Sequence, residues 1–320
     1  MHFLCQMSGD SCMLKDSKNK IKILTLCLLL ASMVSPIFMT TAKAQNNGDL
    51  VGNWPLNEIE TTDNSTTDTT GVNNGIVAGH PDLPTIVDGK FGKAFQFSGD
   101  NFVYVPIKFV VGFPPTPQAV YMPVSPNLDI QKYVQAEAWI NVSGFKNVTY
   151  NNIIVKCNHP DQACSWQNTT RVLGLSLRAG PSEDGVVEGA LSGYILTDSG
   201  EANEIVTTKS IPLNQWVDVV FARTPTGMHL YVNGEEQTVN VVQGVQNPKG
   251  KIMSGTEFYF GHDGLATIDD VSITDLGSVY ENAFDIGNNM VIVIIAVSLI
   301  FAVAWLLRRA IQLWIIRPKI

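Results

Sequence analysis

Short β-prone segments fill residues 45–275, and no helical period interrupts them. Runs rich in Val, Ile, Tyr, Phe and Trp recur between clusters of Gly, Pro, Asn and Asp, which is the pattern of strands joined by turns. Apolar residues fall at every second position in two of these runs, at Val134, Ala136, Ala138 and Ile140 and again at Val217, Val219 and Phe221. This alternation predicts strands that bury one face. We therefore expect an all-β, antiparallel jelly-roll sandwich.

The connections of this predicted sandwich can also be placed. Asn233-Gly234 separates two extended runs, and this dipeptide suits the positive φ angles of a type I′ hairpin turn. Residues 106–126 contain six prolines and are predicted to form a long surface loop. The sequence contains no internal repeat that would divide the predicted core into further domains.

The N-terminal end has the pattern of a secretory signal peptide. Four lysines precede an apolar run at residues 23–34, and Ala42-Lys43-Ala44 supplies an A-x-A cleavage site. We predict a signal peptide over residues 1–44, cleaved after Ala44. The alternatives are an uncut signal anchor and a translation start at Met13.

The C-terminal end has the pattern of a membrane anchor. Residues 290–307 are 18 residues without a charge, and as a helix they would rise about 27 Å against a hydrocarbon thickness of roughly 30 Å. Arg308 and Arg309 follow directly, which predicts a cytoplasmic tail over residues 308–320. The protein is then a single-pass cell-membrane protein with residues 45–276 outside and a linker over residues 277–289. A buried core helix and a sortase-type tail are the alternatives.

The predicted ectodomain is strongly acidic. The whole chain has 21 Lys and Arg against 29 Asp and Glu, a net charge of −8. Nine basic residues but only two acidic ones lie in residues 1–44 and 308–320, which leaves 12 basic and 27 acidic residues, or about −15, between those ends. Such a surface repels nucleic acid and attracts cations. We therefore expect no nucleic-acid partner.

The cysteines and sequons agree with export. Of five cysteines, three lie in the predicted signal peptide and leave Cys157 and Cys164, an even pair that predicts a disulfide in an oxidising compartment. The alternative is a metal site of Cys157, His159 and Cys164, which lacks a fourth nearby ligand. In a host that glycosylates, four sequons predict N-glycans at Asn64, Asn141, Asn147 and Asn168.

Several segments, taken in order, resemble one family of β-sandwich domains. The residues that carry the resemblance are Trp54-Pro55-Leu56, Asp88-Gly89-Lys90-Phe91-Gly92-Lys93-Ala94-Phe95, Ala136-Glu137-Ala138-Trp139-Ile140, Gln215-Trp216-Val217, Leu230-Tyr231-Val232-Asn233-Gly234 and Ile268-Asp269-Asp270-Val271. Together they are similar to the laminin-G-like domains of the concanavalin A-like lectin/glucanase superfamily. Fold alone does not fix function, and the stretch after Asp270 departs from the usual continuation of that family.

The resemblance implies calcium-assisted recognition of glycans or proteins. Calcium takes about six to eight oxygen ligands, and Asp68, Asp269 and Asp270 are the candidates. The alternative is that Asp68 caps a turn and that Asp269 or Asp270 is simply exposed. Glu137 and Trp139 share one face of a predicted strand and could form a sugar platform, with a core position as the alternative for Trp139.

The sequence does not predict an enzyme. Polysaccharide hydrolysis needs two carboxylates on one face, whereas adjacent strand residues such as Asp269 and Asp270 are expected to point to opposite faces. Between the predicted signal peptide and anchor, no serine-hydrolase, zinc-protease, phosphate-loop or dinucleotide motif occurs. We expect an extracellular module that binds a glycan or a surface protein. A structural subunit of a membrane or surface-layer complex is the alternative, and a polysaccharide hydrolase is a weaker one.

Overall fold

The computed structural model describes residues 48–79, 82–111, 120–123, 125–146, 148–158, 170–179, 186–255 and 257–280. The regular secondary structure of these residues is a short 3-10 helix at Pro126–Leu128, a helical start at residues 277–280 and, otherwise, β-strands joined by turns and loops. In chain order the strands are β1 Asp49–Trp54, β2 Ser65–Thr66, β3 Gly75–Gly79, β4 Thr85–Asp88, β5 Lys93–Gln96, β6 Asn101–Pro106, β7 Lys108–Val111, β8 Val120–Pro123, β9 Val134–Val142, β10 Tyr150–Asn158, β11 Thr170–Arg178, β12 Ala190–Leu196, β13 Ala202–Ser210, β14 Trp216–Thr224, β15 Gly227–Val232, β16 Glu235–Glu236, β17 Val239–Gln243, β18 Glu257–Phe260 and β19 Ala266–Asp275.

Two large antiparallel sheets make the sandwich. The eight-stranded sheet has the order β16-β15-β14-β9-β19-β5-β4, and β1 also pairs with β19. The nine-stranded sheet has the order β17-β13-β12-β11-β10-β18-β6-β3-β2, while β7 and β8 form a separate two-stranded sheet. The prediction of an all-β antiparallel sandwich is confirmed.

The core lies between the two sheets and uses the predicted alternation. On β9 and β14 the residues expected to face inward are all buried. Trp54 of β1 is fully buried, with its ring centroid 4.9 Å from that of Phe260 on β18, and its indole N–H donates to the carbonyl of Asn73 at 2.7 Å. This aromatic pair connects the two sheets while the indole donor stays satisfied. From the nine-stranded sheet the same cluster receives Leu173, Leu175 and Leu177.

Two predictions about connections have different outcomes. The type I′ turn is confirmed, because Asn233 and Gly234 have φ angles of 52° and 76° between β15 and β16. The prediction that residues 106–126 form only a surface loop is wrong, because β7 and β8 pair as antiparallel strands within this segment. The prolines suggest a loop, but the valines on either side of them favour extended backbone.

The predicted signal peptide, membrane span and cytoplasmic tail lie outside the described residues. Of the predicted linker at residues 277–289 the structure describes residues 277–280, which are helical. In the described part of the chain, no helix is both long enough and apolar enough to cross a membrane.

Candidate functional site

The predicted ligand pair, Glu137 and Trp139, lies on the outer face of the eight-stranded sheet. Both side chains are half-buried, and because they are two residues apart on β9 they share one face of the strand. The turn between β4 and β5 covers the indole: the Phe91 ring meets it edge-on at 5.5 Å, and the Nζ of Lys90 lies 4.5 Å from its centroid. The "Gly-Lys-Phe-Gly" segment of the resemblance therefore packs on Trp139, and the indole is not an open platform for a sugar.

Carboxylates gather beside this tryptophan. Burial, the nearby Asp218 carboxylate and then Asp270 raise the pKa of Glu137 to about 6, although a hydrogen bond from Gln135 opposes the shift. Burial and Asp270 also raise the pKa of Asp218. Asp218 was not among the predicted site residues, but its position on β14, diagonal to Glu137 in the strand register, follows from the alternation of both strands.

A β-bulge brings Asp270 into this group. The register of β19 against β9 shifts between Asp269 and Ser272, and Asp270 has a φ angle of 50°. An extra residue in a strand breaks the alternation of faces. The simple alternation expected for Asp269 and Asp270 therefore does not apply across the bulge. Burial, and to a smaller extent Asp270, raise the pKa of Asp269.

The predicted calcium residues occupy two different kinds of place. Asp68 is buried and accepts hydrogen bonds from the backbone N–H groups of Asn53, Thr70 and Asn73 and from the Thr70 hydroxyl. These bonds lower its pKa against the effect of burial, so Asp68 organises a turn. Asp269 is only 1% exposed, so the interpretation that it is simply exposed is wrong. Its Oδ2 accepts from the Phe91 N–H at 2.8 Å, and its buried Oδ1 has no hydrogen-bond partner.

Across the described ranges, no group of three or more His, Cys, Asp or Glu side chains is arranged to hold a metal ion. Cys157 is buried and disulfide-bonded. Cys164 lies outside the described residues, so its pairing with Cys157 stays a prediction.

The sequons are placed unequally. Asn64 is exposed in the turn before β2, whereas Asn141 lies within central strand β9 and is half-buried. Asn147 and Asn168 lie outside the described residues. A glycan fits the position of Asn64 better than that of Asn141, since a strand between two neighbours leaves less room.

A cavity of about 480 Å³ opens on the outer face of the nine-stranded sheet. Two connections build it: the β5–β6 turn and the β18–β19 loop. The latter is tied to β10, because Asn152 N–H donates to the His262 carbonyl at 3.2 Å. The residues that line the cavity are Gly99, Asp100, Phe102, His262 and Asp263. The volume lies within the usual range for a small-molecule site.

Aromatic rings form one side of this cavity. The ring of Phe102 lies 5.3 Å from His262 and 5.4 Å from Tyr259. Tyr104 extends the cluster, at 6.2 Å from Tyr259. Such rings offer apolar area with defined faces and edges.

Charged groups form the other side of the cavity. Lys146 Nζ lies 2.8 Å from Asp100 Oδ1 and 3.8 Å from Asp263 Oδ1, and His262 Nδ1 lies 2.8 Å from Asp263 Oδ2. No sequence motif singles out His262 or Phe102. The residues come from parts of the chain about 160 positions apart, so spacing could not reveal the cavity.

Residues 118–276 match the family model described as the Concanavalin A-like lectin/glucanases superfamily. The two-sheet antiparallel sandwich agrees with the concanavalin-like fold of that superfamily. Strands outside the matched range belong to the same sandwich, because β1 and β5 pair with β19 and β6 pairs with β18. The search of curated proteins gave no match.

Several solved structures are similar at low identity. Domain 4 of AbnA, a GH43 extracellular arabinanase from Geobacillus stearothermophilus in complex with arabinotriose, is 15% identical over 71% of this chain and 93% of its own, with a TM-score of 0.47. Trypanosoma rangeli sialidase in complex with sialic acid is 13% identical over 70% of this chain and 30% of its own, at 0.45. The receptor binding domain of botulinum neurotoxin type G is 12% identical over 71% and 47%, at 0.41. This chain thus spans under half the length of the last two. At these scores the likeness carries no information on function.

Proposed function

We propose that this protein is a non-catalytic glycan-recognition module displayed on the outer face of a membrane. The observation that carries the proposal is the cavity on the outer face of the nine-stranded sheet. Its Phe102 ring offers a stacking surface, while Asp100, Asp263 and His262 offer hydrogen-bonding groups to hydroxyls. Ligand sites commonly combine a few polar groups with the surface of aromatic side chains. The description of the matched family, which names lectins, supports the same class of ligand.

The carboxylates argue for binding without turnover. A glycosidase needs one protonated and one ionised carboxyl group across the scissile bond. The carboxyl group with a pKa of about 6 is Glu137, on the outer face of the opposite sheet. In the cavity, Asp100 and Asp263 both lie within 4 Å of the same Lys146 ammonium, so they form ion pairs with one cation.

Display at a membrane rests on the sequence of the two ends. The A-x-A site before Gln45 and the basic flank after residue 307 support a topology with residues 45–289 outside the cell. Protease added to intact cells should remove an epitope placed in the sandwich. Full protection of that epitope would overturn the topology.

A glycan array tests the recognition claim. The full-length protein, purified in mild detergent, is applied to neutral and acidic glycans, and each retained glycan is then incubated with the protein and analysed for cleavage products. We expect selective binding without products. Product formation that disappears in Glu137→Gln would favour the hydrolase. Absence of all glycan binding, together with one stoichiometric protein partner in the same preparation, would favour the structural-subunit alternative.

A further inference from the structure

A second group of polar and aromatic residues lies on the same outer face, on β10 to β13. The Cζ of Arg171, on β11, lies 4.3 Å from the ring centroid of Tyr150 on β10 and 4.9 Å from that of Tyr194 on β12. Gly174 makes this possible, because a Cβ at that position would overlap with the Nη2 and Nε atoms of Arg171. The guanidinium group therefore lies against the backbone of its own strand, between the two tyrosines.

Among the residues that the structure describes, no carboxylate forms an ion pair with Arg171 alone. Glu204 lies 3.4 Å from Arg178 Nη1 and also accepts from the Tyr150 hydroxyl at 2.9 Å and from Ser192 Oγ at 2.6 Å. Two guanidinium groups thus share one carboxylate. Burial lowers the pKa of Arg171 more than Tyr150 and Glu204 raise it, yet arginine stays charged in proteins.

Arg171 also has hydrogen-bonding capacity to spare. Its Nη2 donates to Ser176 Oγ at 2.9 Å. In the described structure its Nε and Nη1 are buried and have no hydrogen-bond partner. A buried donor on a charged group is costly to leave unpaired, and such groups in native proteins call for an explanation.

We propose that Arg171 anchors a carboxylate-bearing sugar of the glycan that this face binds, an inference that rests on the proposed function. Nε and Nη1 are buried, so the side chains that cover them must move apart on binding. A carboxylate would then pair with these N–H groups and supply the missing counter-charge, in the strong class of charge-assisted hydrogen bonds. The hydroxyl of a neutral sugar could accept these hydrogen bonds but would not supply a negative charge. The tyrosine rings beside Arg171 suit a sugar ring better than an extended acidic peptide.

The Arg171 site and the cavity lie on one surface. Gly174 pairs with Val155, and Val155 pairs with Tyr259 of the aromatic cluster. Two strand spacings separate Tyr259 from β11, or about 10 Å. One short oligosaccharide can therefore contact both places.

The test uses the full-length protein in mild detergent and pairs of ligands that differ only in charge. Oligosaccharides that contain glucuronic, galacturonic or sialic acid are titrated beside their carboxyl methyl esters, and a glutamate-rich peptide is added as a further ligand. We expect at least one acid to bind about tenfold more tightly than its ester.

Two variants test whether Arg171 causes this preference. Arg171→Lys keeps the charge but removes Nε and Nη1, and Gly174→Ala displaces the guanidinium without changing the charge. Both variants should lose most of the preference for the acid over its ester. Gly144→Ala is the matched control, because nothing lies near the added Cβ, and it should keep the preference. Melting curves verify that each variant folds.

Three results would overturn the inference and leave the proposed function standing: acids and esters bind equally to the natural protein, the preference survives in both Arg171→Lys and Gly174→Ala, or neutral glycans alone bind. If the glutamate-rich peptide binds in an Arg171-dependent manner and no glycan binds, the ligand of Arg171 is an acidic peptide and not a sugar. Absence of binding to every glycan would overturn the proposed function together with the inference.

Discussion

Glu137→Gln should stabilise the protein at neutral pH. Burial beside Asp218 and Asp270 raises the pKa of Glu137 from 4.5 to about 6. The folded state therefore binds the proton more tightly than the unfolded state, so this stabilising contribution is complete below pH 4.5 and is lost as pH rises through 6. This difference in pKa between the unfolded and folded states corresponds to about 2 kcal/mol. Glutamine keeps the shape and the acceptor for Gln135 but carries no charge, so the variant avoids this loss.

Thermal unfolding followed by tryptophan fluorescence measures the effect at pH 7.5 and pH 4.5. For a domain of this size, about 2 kcal/mol corresponds to a Tm increase of roughly 4–8 °C, which we expect at pH 7.5 and not at pH 4.5. Glu235→Gln, on the exposed edge strand of the same sheet, is the matched control and should change Tm little at either pH. A lower Tm for Glu137→Gln at pH 7.5, or an equal shift at both pH values, would refute the electrostatic account.

Three further predictions concern the ion pair, the disulfide and calcium. Asp129→Asn removes the carboxylate 2.8 Å from the buried Lys156 ammonium and should cost about 3–5 kcal/mol in denaturant unfolding; a loss below about 1 kcal/mol would show that the pair is not charged. Non-reducing peptide mapping should join Cys157 to Cys164, and two free thiols in material never exposed to reductant would contradict the pairing. Calcium should stabilise the folded state by about 2.7 kcal/mol at a hundredfold excess over its Kd and so raise Tm relative to chelator, and Asp270→Asn should reduce the rise; equal Tm values with and without calcium would remove the metal from the account.

Local pattern was sufficient for much of the sandwich. The alternation on β9 and β14 identified their buried faces, and Asn233-Gly234 identified its turn. Both signals are local, since a pleated strand turns over every second residue and a type I′ turn needs two positive φ angles. The shared face of Glu137 and Trp139 follows from the same rule.

The rest depends on contacts between distant residues. Asp270 has a left-handed φ angle at a β-bulge, which the alternation of residues along one strand does not predict. The turn that covers Trp139 comes from another part of the chain, and the cavity joins residues near 100 to residues near 262. Gly174 was the available signal for the Arg171 cluster, because a glycine inside a strand often marks a close approach of another group.

The most direct test of glycan recognition is the affinity of the best array ligand for Phe102→Ala and Phe91→Ala, measured by calorimetry. Phe102 lines the cavity, whereas Phe91 is an exposed ring on the opposite sheet and is the matched control. Loss of a ring that stacks on the ligand should lower affinity about tenfold or more, so we expect that loss in Phe102→Ala and natural affinity in Phe91→Ala. Unchanged affinity in Phe102→Ala, with weakened binding in Phe91→Ala, would contradict the account and place the ligand on the eight-stranded sheet.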